Sequence, residues 1–442
     1  MPKTSAVLRL LLLSTSSLLV CSPLSVQAAS ALSQGSQVGE TAPAGAVSTG
    51  RYPDLFAEAG YARPDVEAKI QTAFQQLFHG DLATQAVYYE AGSNADGPLA
   101  YIHDVNNDDV RSEGISYGMM IAVQLGRKRE FDALWNWAMT HMYQRDPAHP
   151  AYGYFAWSVR TNGTINDPMP APDGEEYMIT ALYFAAARWG SGQDLYDYRA
   201  QADRLLRNVL HREAITGQTM HGQMTAINLF DHQSKMVRFT PDVKNAEHTD
   251  ASYHLPAFYE VWARVGPQAD RAFWHEAAQA SRDYLATSAN PKTALTSDYG
   301  NFDGTPWAAP WRSDSAADFR YDAWRSGMNW SVDWSWWAQD RRQVAMSNRL
   351  QAFFVSQGLD AYQSLYTLSG KPLGGGHMTG LVATNAVTSL AATDPQRLAF
   401  VRALWALPVP AGPQRYYNGM LYLMALLHCS GDFRAWLPNP SP

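Results

Sequence analysis

The sequence predicts an all-α fold of about twelve helices in one domain, and three observations carry that prediction. Apolar residues recur at helical spacing along nearly the whole chain. Strand-like runs are few and short: 152–159, 236–240 and 362–368. Between Tyr52 and Trp436 there is no low-complexity block or composition break that would mark a second domain. About twelve helices without a parallel sheet imply helix pairs wound into a barrel or a solenoid. An (α/α)6 barrel, six helices inside and six outside, fits the count, and spacing alone equally admits an irregular helical array.

The elements follow in chain order. Lys3 and Arg9 give a positive start, Leu10 to Val20 a short apolar region, and Val26-Gln27-Ala28 a small-residue cleavage site. That is the pattern of an export signal over residues 1–28. The apolar stretch is too short and too rich in serine for a membrane span. The mature form is therefore expected off the membrane, periplasmic or secreted. The residues before Cys21 lack the small side chain that usually precedes a lipidated cysteine. Cleavage after Ala28 leaves Cys429 alone, which excludes an internal disulfide and a cysteine-based metal site. Residues 29–50, rich in Ala, Ser, Gly and Thr, read as a flexible leader, and residues 51–442 as a single domain. Within it Val66, Ile70, Phe74 and Leu77 share one helical face, as do Phe131, Leu134, Trp135, Ala138 and Met142. An apolar helix follows Glu113. Further stripes lie near 175–190, 197–211, 252–265, 270–287, 318–338, 345–356, 378–392, 396–406 and 416–429.

Composition narrows the function. The net charge of −7 comes without a long acidic or basic run, so there is no nucleic-acid footprint. The 15 Trp and 23 Tyr outnumber the 34 Lys and Arg together. Most of these rings must be core, but flat rings with a hydroxyl or indole N–H also suit the faces and hydroxyls of sugars.

Two kinds of segment carry candidate chemistry. In Arg111-Ser112-Glu113-Gly114-Ile115-Ser116-Tyr117 a carboxylate opens an apolar helix, with Ser112 as the expected N-cap. A first-turn Glu is ordinary helix chemistry. Its apolar surround of Ile115, Tyr117 and Met119 is what would keep a carboxyl protonated near neutral pH and let it act as an acid. The loop from Asn162 to Glu176 ends at a helix start, where Asp173 reads as a cap with Glu175 and Glu176 in the first turn. The stretch from Thr293 to Arg325 holds Asp298, Asp303, Asp314, Asp318 and Asp322 among aromatic residues, more carboxylates than capping needs.

SEGISYGMM, WNWAMTHMY, GYFAWS, APDGEEY, YHLPAFYE and RYDAWR, in that order, resemble glycoside hydrolase family 8, and within it the reducing-end xylose-releasing exo-oligoxylanases. The resemblance implies an (α/α)6 barrel, inversion at the anomeric carbon, no cofactor and a β-1,4-xylo-oligosaccharide substrate. It also implies Glu113 as general acid, Asp322 as general base and Asp173 holding the sugar at the cleavage point. Inversion needs a protonated carboxyl beside the leaving oxygen and a carboxylate that activates water on the other face. Arg325, three residues after Asp322, would keep the base ionised. Asp333 on the same helix is the rival base. Trp157 is the expected sugar platform and Tyr253, rather than His254, the expected substrate contact. No metal-ligand spacing or phosphate loop is present. In the exo-oligoxylanases a Leu-His-Pro bulge closes the cleft beyond the reducing-end sugar. Here Gly376-His377-Met378 stands at that place, with His377 expected to bind the terminal sugar. The alternatives are an endo-acting xylanase or glucanase of the same family and a non-catalytic oligosaccharide-binding protein. A class I terpene cyclase would need a DDxxD motif, which is absent.

Overall fold

Two burial patterns alternate along the chain and decide its architecture. Helix α1 (Arg63–His79) buries Val66, Ile70, Ala73, Phe74, Leu77 and Phe78 along one stripe and gives its other face to water. Helix α2 (Ser112–Leu125) buries every residue except Glu113 and Leu125. A helix apolar on one side belongs on the outside, and one buried all round belongs within. The same alternation continues through α3 (Lys128–His141), α4 (Pro172–Trp189), α5 (Tyr198–His211), α6 (Pro256–Val265), α7 (Arg271–Ser288) and α8 (Trp324–Trp337). It ends with α9 (Arg342–Ser356), α10 (Thr379–Val387), α11 (Arg397–Ala406) and α12 (Arg415–Cys429).

In the computed structural model, which describes residues 44–438, the even-numbered helices pack in sequence around a ring, and α12 closes it against α2. Each odd-numbered helix packs outside an even-numbered neighbour. This is an (α/α)6 barrel, and each stripe predicted from spacing is one of its twelve helices.

The connections are unequal, and that inequality places the site. The turns that leave the inner helices are short. Those that enter five of the six are long and hold all the strands, and the one into α12, residues 407–414, is short. Strands β1 (Tyr88–Asn94), β2 (Gly97–Asp104), β3 (Asp109–Arg111), β4 (Ser158–Val159) and β5 (Ile165–Asp167) form one antiparallel sheet in that order. Strands β6 (Ile215–Thr219) and β7 (Gly222–Ala226) form a hairpin. Strand β8 (His248–Asp250) pairs with β9 (Tyr299–Asn301), and β10 (Leu365–Tyr366) with β11 (Pro372–Gly374). Of the expected strands, 152–159 shrinks to Ser158–Val159, 236–240 to a bridge at Val237, and 362–368 to Leu365–Tyr366.

The expected leader needs a correction at its end. Residues Ala46–Thr49 form a helical turn with Ala46 buried, and Gly45 lies so close to Trp336 that a Cβ there would sit 2.2 Å from the Trp336 carbonyl oxygen. The packed chain therefore begins before residue 51. The expected export signal, residues 1–28, lies outside the described residues.

Candidate active site

The N-termini of the inner helices meet at the end of the barrel that carries the long connections. Glu113 is the second residue of α2 and Asp173 the second of α4; Asp322 stands just before α8 and Tyr416 is the second residue of α12. Ser112 and Asp173 are not caps, contrary to expectation: the N-cap positions belong to Arg111 and Ala171, and Pro172 takes the first helical position. Asp173 lines the cleft, and its Oδ1 accepts the Gly174 N–H at 2.9 Å. Two glycines allow the close approach. A Cβ on Gly114 would meet the Tyr416 ring at 2.7 Å, and one on Gly174 would meet Ser112 Oγ at 2.5 Å.

One buried cation joins the carboxylates. Arg325 Nη1 donates to Glu113 Oε2 at 3.1 Å and to Asp173 Oδ2 at 2.6 Å. Its Nη2 donates to Asp322 Oδ1 and to Ser252 Oγ, each at 2.8 Å. Tyr416 Oη donates to the other Glu113 oxygen at 2.9 Å. A single guanidinium cannot neutralise three carboxylates, so at least one is driven to hold a proton. Burial is the main force on Glu113; Arg325 opposes it, the charges of Asp173 and Asp322 add to it, and the carboxyl is pushed up to about 7. Burial also raises Asp173, against the charge and hydrogen bond of Arg325. Asp322 is about a quarter exposed, and Arg325 faces it with a full positive charge. An acid poised near neutrality and an ion-paired carboxylate in one cleft can together donate one proton and take another.

The cleft encloses about 1000 Å³ and is lined by Glu113, Trp157, Asp173, Tyr253, Asp322 and Arg325. Six of the seven expected site residues thus converge from five different connections or helix starts. Trp157 offers its ring under the Arg111 guanidinium, 5.4 Å from the ring centroid. His254 is buried between Thr249 Oγ1 and Ser281 Oγ and stacked on Tyr284, and burial drives its pKa down to about 3. It is a neutral structural histidine, and Tyr253 is the one that reaches the cleft.

The model for glycosyl hydrolases family 8 matches residues 94–431. The chain belongs to glycosyl hydrolase family 8. It is 42% identical over 397 residues to the reducing-end xylose-releasing exo-oligoxylanase Rex8A of Paenibacillus barcinonensis, covering 89% of this chain and 98% of that one. A family 8 xylobiose complex from Teredinibacter turnerae superposes with a TM-score of 0.88 at 61% identity, over 89% of this chain and 100% of the other. A xylohexaose complex of a catalytic mutant, described as a xylanase from the same organism, gives 0.88 at 60% identity, over the same shares.

Asp333, the rival base, does not line the cleft. Asp333 is fully buried and paired with Arg282 through two bonds of 2.8 Å, with Gln343 donating to it at 2.7 Å. Arg282 also binds Glu260, so the network ties α6, α7, α8 and α9. Asp333→Ala leaves a buried guanidinium short of a partner and is expected to cost about 3–5 kcal/mol of stability. Urea unfolding checks this; a loss under 1 kcal/mol would show the network to be dispensable.

The other acidic residues of the 293–325 stretch divide by role. Asp303 caps a turn at Thr305, while Asp314 pairs with Arg312 and Arg320. Asp318 lies 3.6 Å from Arg320. Asp298 is buried and accepts the Ala323 N–H, fixing the backbone beside Asp322.

His377 departs from expectation. It is exposed, is not among the residues that line the cleft, and its Nδ1–H donates to the Tyr362 carbonyl at 3.0 Å. Gly374, Gly375 and Gly376 all have positive φ, which lets the segment fold back on 362–366, where Ser364 Oγ donates to the Gly376 carbonyl. Gly375 and Met378 face the cleft in its place. Residues missed from the sequence include Tyr416, Arg111 and Ser252. The last two adjoin recognised motifs, whereas nothing local marks Tyr416.

Proposed function

We propose that the protein is an inverting glycoside hydrolase that releases xylose from the reducing end of β-1,4-xylo-oligosaccharides. The observation that carries this reading is Glu113, its carboxyl pushed up to about 7 by burial, joined to Asp322 through Arg325 in a cleft with aromatic walls, in a chain whose curated relative is named for that activity. Glu113 gives its proton to the glycosidic oxygen as the C–O bond breaks. Asp322 takes a proton from water as the water oxygen bonds to the anomeric carbon on the opposite face. Asp173 accepts a hydrogen bond from a hydroxyl of the sugar at the cleavage point. Solvent then returns a proton to Glu113 and removes one from Asp322. The signal-like segment from Lys3 to Ala28 supports action outside the cytoplasm.

One observation favours a second reading, an endo-acting xylanase. His377 is turned from the cleft, the three glycines offer no side chain to block it, and the 60%-identical xylanase was solved with xylohexaose. Xylotetraose labelled at its reducing end separates the two. The exo reading expects labelled xylose first, resistance of reduced (alditol) oligomers and little action on xylan. Early labelled xylobiose or xylotriose, with rapid loss of xylan viscosity, would make the protein an endo-xylanase.

A further inference from the structure

Of the fifteen tryptophans only Trp311 stands largely in solvent, 54% exposed. Leaving most of an indole in water forfeits burial that the other rings obtain, and the ring lies on the cleft wall rather than on an outer face. It ends a row of rings. Tyr253, beside the catalytic carboxylates, stacks on Phe239 with centroids 6.0 Å apart and planes within 10°. Phe239 lies 6.1 Å from Trp311. Trp311 is braced edge-on by Trp307 at 5.1 Å, and Trp307 stacks on His248 at 3.6 Å. The indole is thus held from behind while its outer surface stays open. Thr240 and Asn245 also line the cleft, and neither side chain makes a hydrogen bond within the protein.

We propose that Trp311, with Phe239 and Asn245, forms a distal sugar subsite that holds a pyranose ring remote from the scissile bond. An apolar, braced ring face flanked by unengaged amide and hydroxyl groups matches a sugar, which presents C–H groups on its face and hydroxyls at its edge. Short oligomers bound across Glu113 and Asp322 do not reach it; long ones do. The proposal rests on the oligosaccharide reading above and adds where the chain goes after it leaves the catalytic carboxylates.

The test compares xylotriose with xylohexaose for the wild type, Trp311→Ala and Trp311→Phe. The Ala variant is expected to lose about three- to tenfold in kcat/KM on the hexamer, mainly through KM, while staying within about twofold on the trimer. The Phe variant should recover most of the loss. Equal losses on both lengths, or none on the hexamer, would overturn the subsite. Cellotriose and cellohexaose are run in parallel. An enzyme inert on every xylo-oligosaccharide but active on these would overturn the xylose reading, and the same length comparison would still judge Trp311. Calorimetric titration of xylohexaose and cellohexaose into Glu113→Gln, with and without Trp311→Ala, gives a readout independent of turnover. Unchanged affinity for both hexamers would also reject the subsite.

Discussion

Glu113→Gln is expected to lower xylotriose hydrolysis about 10²–10⁴-fold while the protein stays folded. The substitution keeps the shape of the side chain and removes the proton that the proposed mechanism gives to the leaving oxygen. Substrates with activated leaving groups, such as aryl xylosides or xylosyl fluorides, need that proton less and should lose less. The wild-type pH profile gives a second check with a definite sign. The acid works only when protonated, and its pKa is pushed up to about 7. Therefore kcat/KM should hold below pH 7 as far as the acid is concerned, fall as pH rises through it, and drop about tenfold per unit beyond. Near-native turnover of Glu113→Gln on xylotriose would remove Glu113 from the acid role.

Asp322→Asn is expected to be nearly inactive, again about 10²–10⁴-fold, whereas the folded fraction of Asp333→Asn keeps most of its kcat. The Asn side chain can still accept from Arg325 but cannot take a proton from water. If Asp322 activates water on the face opposite Glu113, the first product from a β-linked substrate is the α-anomer, visible by NMR before mutarotation. A β-anomer would indicate a covalent intermediate and carboxylates only about 5 Å apart. Greater damage from Asp333→Asn than from Asp322→Asn, at equal folded fraction, would transfer the role.

The helices were legible because burial imposes periodicity. Phe131, Leu134, Trp135 and Ala138 are all buried on one outer helix. The strands were legible only in part, and β1 was missed because it buries little. Residues Tyr88–Asn94 read YYEAGSN and expose their last five residues, so no apolar alternation marks them. Asp173 and Ser112 were misread as caps by residue type. The proline at 172 holds the information, since proline favours the first helical position and moves the cap back to Ala171. Glu113 and Asp322, the proposed acid and base, were singled out through motif resemblance, and both line the one cleft. Tyr416 could not be found this way, because its contact with Glu113 spans 303 residues and exists only once α12 meets α2. His377 is expected in the cleft from its motif neighbours alone, and its Nδ1 bonds the Tyr362 carbonyl, a contact that no local pattern marks.

The shared position of Arg325 has a consequence for the whole catalytic cycle. In the proposed mechanism Glu113 is neutral and Asp322 negative before cleavage, and Glu113 is negative and Asp322 neutral after it. The total charge around the guanidinium is the same at both ends of the reaction, and only its location swings from one side of a fixed pivot to the other. Both stations already hold a hydrogen bond to that pivot. The site therefore has no need to recruit an ion or reorient a distant dipole when the bond breaks, because the compensation is built in beforehand. In electrical terms the centre behaves as a two-position switch of constant charge, and its resting and discharged states differ by the displacement of one proton across a cation that does not move.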